Sequence, residues 1–160
     1  MRITFRLAAA SLGTMATIAL SSCTPEMATA PAVDPAAATY AAALGVNLAS
    51  MTKTASGLYY QDVPPGTGTA AVSGNHVTVH YTGYLTNGST FDTSIGKTPF
   101  GFTLGQGAVI AGWDEGVVGM KIGGTRKLVI PAALAYGAGS VGSIPANSIL
   151  VFNVQLISIP

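Results

Sequence analysis

The stretch Gly107-Ala108-Val109-Ile110-Ala111-Gly112-Trp113-Asp114-Glu115-Gly116-Val117 constrains this chain more than any other. It is the one strong helical pattern in a series of segments that otherwise alternate with the period of β-strands. Ile110, Trp113, Val117 and Met120 recur at steps of three and four, which predicts one buried helical stripe. Gly112, Gly116 and Gly119 fall on another face. Each glycine costs a helix interior roughly 0.5–1 kcal/mol relative to alanine. Such a helix cannot stand on propensity. Packing must hold it, and its small face lets a neighbour come close. Read alone, it is a core helix carrying the single tryptophan of the chain.

Around it the punctuation is that of strands and turns. Gly57–Val63 predicts a first strand, stopped by Pro64-Pro65-Gly66-Thr67-Gly68, where prolines remove donors and glycines permit a reversal. Val77, Val79 and Tyr81 alternate with His76, Thr78, His80 and Thr82. Asn87-Gly88 predicts a hairpin into Ser89–Thr93. Phe100, Phe102 and Leu104 alternate with Gly101 and Thr103. After Gly123-Gly124 comes Arg126–Ile130, ended by Pro131. The last run, Ser148–Ile159, alternates Leu150, Phe152, Val154 and Leu156 with Val151, Asn153, Gln155 and Ile157. The expectation is an α+β domain over 53–160: an antiparallel five- to six-stranded β-sheet with one short α-helix.

The N-terminus reads differently. Arg2 and Arg6 precede an uncharged run from Leu7 to Leu20, too short to span a bilayer, so residues 1–22 are expected to be a signal peptide. The run ends in Leu20-Ser21-Ser22-Cys23, which resembles a bacterial lipobox. That resemblance implies cleavage before Cys23, diacylglycerol on its thiol and a fatty acyl group such as palmitate on its amine. Cys23 is the only cysteine, which fits lipidation and excludes internal disulfides. Thr24 rather than aspartate after it implies the outer membrane, facing the periplasm, if the source has two membranes. Residues 23–52 are Ala-, Pro- and Thr-rich and are read as a tether. Within them, Asp34-Pro35 is a helix start signal and Gly45 a stop. A helix over 36–44 would be marginal in isolation.

Composition excludes several functions. Only 8% of residues are charged, with no basic patch, so no nucleic-acid partner is expected. His76 and His80 share a strand face, but no carboxylate or cysteine joins them, so no metal site is expected. His80 reads as a structural histidine. No nucleophile elbow and no phosphate-cradling loop is present, and no cofactor is expected.

What remains is aromatic and apolar, with Asp92 the one acid beside it. Val79-His80-Tyr81-Thr82-Gly83, Phe91-Asp92-Thr93-Ser94, Val109-Ile110-Ala111-Gly112-Trp113, Ala135-Tyr136-Gly137 and Leu150-Val151-Phe152 resemble, in order and spacing, the signature segments of FK506-binding-type (FKBP) peptidyl-prolyl cis-trans isomerases. The resemblance covers about Lys53 to Pro160. It implies a sheet wrapped around the helix, with Trp113 as the floor of an apolar pocket. Phe91, Phe100, Val109, Ile144 and Phe152 would form its walls with Tyr81, Ile110 and Tyr136. It also implies that the Ile110 amide and the Tyr136 hydroxyl donate to substrate carbonyls, and that Asp92 is the pocket acid, partnered by the Tyr81 hydroxyl. The implied partners are proline-containing polypeptides and macrolide inhibitors of the FK506 class.

Three departures stand out. The basic residue that usually pairs with the pocket acid has only Lys97 as a candidate. An acidic residue often found before the Val-Ile pair is replaced by Ala108. The Ala138–Ser143 loop is glycine-rich, slightly short and lacks a histidine. The leading expectation is isomerisation of X–Pro bonds in exported proteins. The alternatives are a non-catalytic binding module or holdase using the same cleft, and an interaction module with the domain as scaffold.

Overall fold

A computed structural model of the chain describes residues 33–160. The expected signal peptide over 1–22, the lipidation of Cys23 and the first part of the tether lie outside the described residues.

Among the described residues seven strands form one antiparallel sheet: β1 (Thr52–Lys53), β2 (Tyr59–Asp62), β3 (His76–Leu85), β4 (Thr90–Thr93), β5 (Phe100–Thr103), β6 (Thr125–Ile130) and β7 (Leu150–Ser158). The order is β1-β2-β6-β7-β3-β4, with β5 also on β3. The strand beyond the expected six is the two-residue β1, too short to leave a period in the sequence. Among the described residues the single α-helix, α1, spans Ala111–Gly116. Asn87-Gly88 makes the predicted hairpin, with the Leu85 N–H donating to Ser89 O at 2.9 Å.

The helix is shorter than its apolar stripe suggests. Gly119 adopts φ +78°, a left-handed conformation that turns the chain out of the helix. Trp113, Val117 and Met120 are buried nonetheless. Gly112 and Gly116 do what the small face predicts. A Cβ on Gly112 would sit 2.4 Å from Ile130 Cγ2, and one on Gly116 would sit 2.8 Å from Leu128 Cδ2. The helix backbone therefore lies directly on β6.

Two charged residues hold this poor helix former at its ends. Before it, the Asp114 carboxylate accepts from the Gly105 and Gly107 N–H groups, both at 2.9 Å. After it, buried Arg126 donates through Nη1 to Gly116 O and Val118 O, both at 2.9 Å. Those are carbonyls the helix terminus leaves open, at the end where a cation is favoured. The guanidinium also grips Asp62 in a two-pronged pair, Nε to Oδ1 at 2.7 Å and Nη2 to Oδ2 at 2.9 Å. It lies 4.6 Å from the centre of the Tyr60 ring.

The tether expectation fails over residues 33–51. Instead of a free linker, this segment straps the sheet face opposite α1. Leu44 and Met51 are buried there against Tyr59, Val129, Ile149 and Val151, with Tyr40, Val46 and Leu48 packed alongside. Both signals read from the sequence are used, by separate turns rather than one helix. Asp34 Oδ1 accepts from the Ala36 N–H at 2.8 Å to start a 3-10 turn over Pro35–Ala37, and Gly45 (φ +56°) closes another over Ala42–Leu44. Between them Ala38 is extended, at ψ 150°. The strap is fastened by the Ala41 N–H to Thr86 O at 2.8 Å, and by Lys127 Nζ, which donates to Leu44 O and Gly45 O. The physical reason is a row of apolar side chains across the sheet, Tyr59–Val129–Val151–Tyr84 in register, that would otherwise face water.

Candidate active site

On the helix side, β3 runs along the edge shared by β4 and β5. Its first half pairs with β5 (Val79 opposite Phe100) and its second half with β4 (Thr82 opposite Thr93). Between them His80 and Tyr81 have no strand partner on that edge. Ser94, 5% exposed, fills the break. Its Oγ accepts from the Tyr81 N–H at 2.9 Å and lies 3.0 Å from His80 Nδ1, while its own N–H donates to Tyr81 O at 3.0 Å. Thr93 Oγ1 also donates to Tyr81 O at 3.0 Å. His80 is thus held in a structural bond, as expected.

This break sets Tyr81 over the helix. Its ring meets the Trp113 indole edge-on at 5.0 Å between centroids. Phe152 of β7 meets Trp113 at 5.3 Å, and Phe91 of β4 meets Phe152 at 5.5 Å, both edge-to-face. Phe100 closes the far side at 6.2 Å from Trp113, and Phe102 underlies it at 5.6 Å. Such pairs contribute about 0.5–1.5 kcal/mol each beyond their buried area, so the rings are mutually fixed. Gly83 makes the arrangement feasible: a Cβ there would lie 2.6 Å from Phe91 Cζ and 2.7 Å from Phe152 Cε1.

The rings surround an open cleft of about 230 Å³ lined by Tyr81, Phe91, Asp92, Phe100, Ala108, Val109, Ile110, Trp113, Tyr136 and Phe152. Nine of the ten residues singled out for the pocket are brought together here. Ile144 is the exception. Its backbone exchanges two hydrogen bonds with Val141 (2.9 and 3.0 Å), and its side chain is buried in the core rather than on the cleft wall. Ala108 joins the lining in place of an acidic side chain.

The polar groups are few. Tyr81 donates its hydroxyl to Asp92 Oδ2 at 2.5 Å, the partnership the resemblance implied. Burial, then the hydrogen bond and charge of Asp92, with Tyr136 adding a smaller push, raise the Tyr81 phenol to about 12. Its proton is therefore fixed at neutral pH. Asp92 Oδ1 accepts from the Thr93 N–H at 2.8 Å. Lys97 does not reach Asp92: its ammonium donates to Thr93 O at 2.9 Å. Tyr136, 40% exposed, follows a 3-10 turn over Ala132–Leu134 and stands at the rim. Ile110 is the residue before α1, its amide placed by the loop that Asp114 ties down. Among the described residues neither the Tyr136 hydroxyl nor the Ile110 N–H is taken by another protein group. Trp113 Nε1 is the buried side-chain donor left without a partner among the described residues. No group of three or more His, Cys, Asp or Glu that could hold a metal occurs among the described residues.

Sequence reasoning missed Ser94, Asp114 and Arg126. Ser94 lies just past the expected strand Ser89–Thr93 and carries no periodic signal of its own, and its role depends on two strands leaving a break opposite Tyr81. Asp114 had a signal: an acid in the first turn of a helix after a Gly-x-Gly loop is a ready acceptor for loop amides.

The sequence model of FKBP-type peptidyl-prolyl cis-trans isomerases matches residues 67–157. An FK506-binding protein of Neisseria meningitidis serogroup B is 50% identical over 105 residues, which are 64% of this chain and 96% of that protein. FK506-binding protein 4 of Dictyostelium discoideum is 54% identical over 104 residues, 64% of this chain but only 28% of that longer protein. The crystal structure of FkpA from Escherichia coli superposes with a TM-score of 0.63 at 44% identity, covering 68% of this chain and 51% of that one. With the family match over more than half of its length and half its residues shared with the Neisseria meningitidis protein along nearly all of that protein, this chain belongs to the FKBP-type peptidyl-prolyl cis-trans isomerase family.

Proposed function

We propose that this protein accelerates X–Pro isomerisation in exported polypeptides, from a lipid anchor at Cys23 in an outer membrane. The observation that carries the catalytic part is the cleft. Five aromatic side chains enclose an apolar floor beside two unengaged donors, the Ile110 amide and the Tyr136 hydroxyl.

Rotation about a peptide bond meets a barrier of about 18–20 kcal/mol because it breaks amide resonance. The planar amide is more dipolar than the twisted one, so a desolvated site disfavours the ground state relative to the transition state. Trp113 and its neighbours grip the proline ring. Ile110 N–H and Tyr136 Oη hold the flanking carbonyls. Asp92 and Tyr81 are locked to one another and shape the wall. A hundredfold acceleration needs about 2.7 kcal/mol, within reach of such contacts without a nucleophile. The same apolar cleft suits ligands of the FK506 class.

The anchor reading rests on Leu20-Ser21-Ser22-Cys23. Among the described residues no helix is long and apolar enough to cross a membrane, so attachment would fall to that segment. Because residues 33–51 are strapped to the domain, only nine residues separate Cys23 from Val33. The ten intervening steps span at most about 36 Å. The cleft would then work close to the membrane surface.

The test is a proline-limited refolding reaction with the chain from Thr24. Acceleration above the spontaneous rate is expected, and none would sink the catalytic reading in favour of a binding module. Tyr136→Phe should lower the rate about 2- to 10-fold, the value of one hydrogen bond, without moving the unfolding midpoint. For the anchor, Cys23→Ala should shift the full chain to the soluble fraction.

A further inference from the structure

The two edges of the sheet are guarded unequally. At one edge β1 is two residues long and carries Lys53, whose ammonium lies 5.2 Å from the centre of the Tyr59 ring. At the other, β4 and β5 lie side by side along β3. Backbone groups of an outer strand point alternately towards its partner and away from it. In β4 the Ser94 N–H donates to Tyr81 O, so Thr93, one residue earlier, turns its groups outward. Both are taken, the Thr93 N–H by Asp92 Oδ1 at 2.8 Å and Thr93 O by Lys97 Nζ at 2.9 Å. In β5 the Leu104 N–H donates to Asn75 O at 2.9 Å. That phase makes Val77–Phe102 and Val79–Phe100 the bonded pairs and turns Gly101 and Thr103 outward. Among the described residues no strand pairs with that side of β5, and no group takes the outward N–H and C=O of Gly101 and Thr103. No charged residue stands between Lys97 and Asp114. An open, uncharged edge of this kind is a template for one more strand.

We propose that the free edge of β5 is a second subsite, which takes an extended stretch of the substrate polypeptide as an added strand while its proline occupies the cleft. This rests on the proline-binding reading of the cleft. The two sites are continuous through Phe100. Its ring walls the cleft 6.2 Å from Trp113, and its backbone begins β5. A chain that leaves the cleft past Phe100 meets Gly101, which is exposed and has no side chain to hold it off. The two N–H and two C=O groups of Gly101 and Thr103 match about four residues of an extended chain, at about 3.3 Å each. Pairing of this kind takes its affinity from the main chain and tolerates many side chains. It suits a protein whose substrates need share nothing but a proline. The consequence is a preference for unfolded chains over short proline peptides. Two or three exposed hydrogen bonds should lower KM about 5- to 20-fold.

The test compares the peptide Ala-Leu-Pro-Phe with versions extended by six uncharged residues at its amino or its carboxyl end. The chain from Thr24 is assayed for kcat and KM, and each peptide is titrated against the fluorescence of Trp113, the single tryptophan, at the cleft floor. Extension at one end should lower KM and the dissociation constant by that factor and leave kcat alone. Shuffling the added residues should keep the gain. N-methylation of alternate added residues should abolish it, because a methylated amide cannot join a ladder. In Thr103→Pro, which removes an outward N–H and no ladder bond, the ratio of long to short peptide should fall towards one. Equal values for long and short peptides would overturn the proposal, as would a gain that survives N-methylation or depends on the order of the added residues. So would a dimer of the free protein in sedimentation that Thr103→Pro dissociates, since a second copy would then hold the edge. If the long peptide binds more tightly through its unmethylated amides but neither peptide is isomerised, the catalytic reading fails and this one stands.

Discussion

The two faces of the sheet are both apolar and both covered, yet they are built for different ends. On one face the cover is α1, six residues long and pressed onto β6 through glycines. On the other it is the strap over residues 33–51, which has no continuous helix and lies along the surface through three short turns. The helix side leaves a gap between cover and sheet, and the aromatic rings line it. The strap side brings Leu44 and Met51 onto Val129 and Val151 and joins no residue to the cleft. One cover makes the aromatic cleft, and the other adds buried apolar contact without touching it. Hydrophobic area alone does not distinguish them; the difference is whether rigid rings hold the two layers apart.

The largest test of that contrast removes the strap. A chain beginning at Thr52 loses the burial of Leu44 and Met51, each contributing about 1.5–3 kcal/mol, and bares the row from Tyr59 to Tyr84. Its urea midpoint should fall by the equivalent of about 3–6 kcal/mol. The isomerisation rate per folded molecule should not change. A truncated chain as stable as the parent would show that the strap is an ornament.

A matched pair of point changes sharpens the comparison. Leu44→Ala on the strap side should cost about 2–5 kcal/mol, and Trp113→Ala on the helix side about 3–5 kcal/mol. The two variants are therefore comparably destabilised. In refolding-coupled activity measured well below either melting temperature, only Trp113→Ala should lose the catalysed phase. Loss of activity in Leu44→Ala beyond its unfolded fraction would mean that the faces communicate.

The helix side was legible in the sequence because each of its parts carries a local signal. The 3.6-residue stripe, the period-two strands and the hairpin dipeptide each fix an element without reference to the rest. The strap was not legible as packed, since Ala, Pro and Thr composition is what a free linker also has. The record of it lies in the strands instead. Leu128-Val129-Ile130 and Leu150-Val151-Phe152 are unbroken apolar triplets in strands otherwise expected to alternate. All six residues are buried, whereas Gln155 and Ile157 further along β7 face water. Consecutive burial on a strand requires a cover on both faces. The bonds of Ser94 and Arg126 were beyond reach for another reason. Ser94 reaches back 13 residues to the Tyr81 N–H and Arg126 reaches 64 to Asp62, through geometry that only the assembled sheet creates.

Each face also holds one tyrosine whose phenol is raised from 10.0 to about 12, and these give the smallest and most discriminating test. On the strap, burial is the main cause for Tyr40, with Tyr59 and Asp34 adding to it, and its hydroxyl donates to Pro35 O at 2.8 Å. In the cleft, burial is again first for Tyr81, but Asp92 follows. Above pH 10 the unfolded chain releases both protons while the native chain keeps them. The stabilisation is thus complete below pH 10 and lost as pH rises through about 12. Denaturant melts at successive pH values should show this loss, and Tyr40→Phe and Tyr81→Phe should each reduce it. Asp92→Asn separates the faces. A spectroscopic titration should move Tyr81 back towards its ordinary value and leave Tyr40 in place. If both phenols shift together, the strap and the cleft share an electrostatic environment and the sheet does not insulate one from the other.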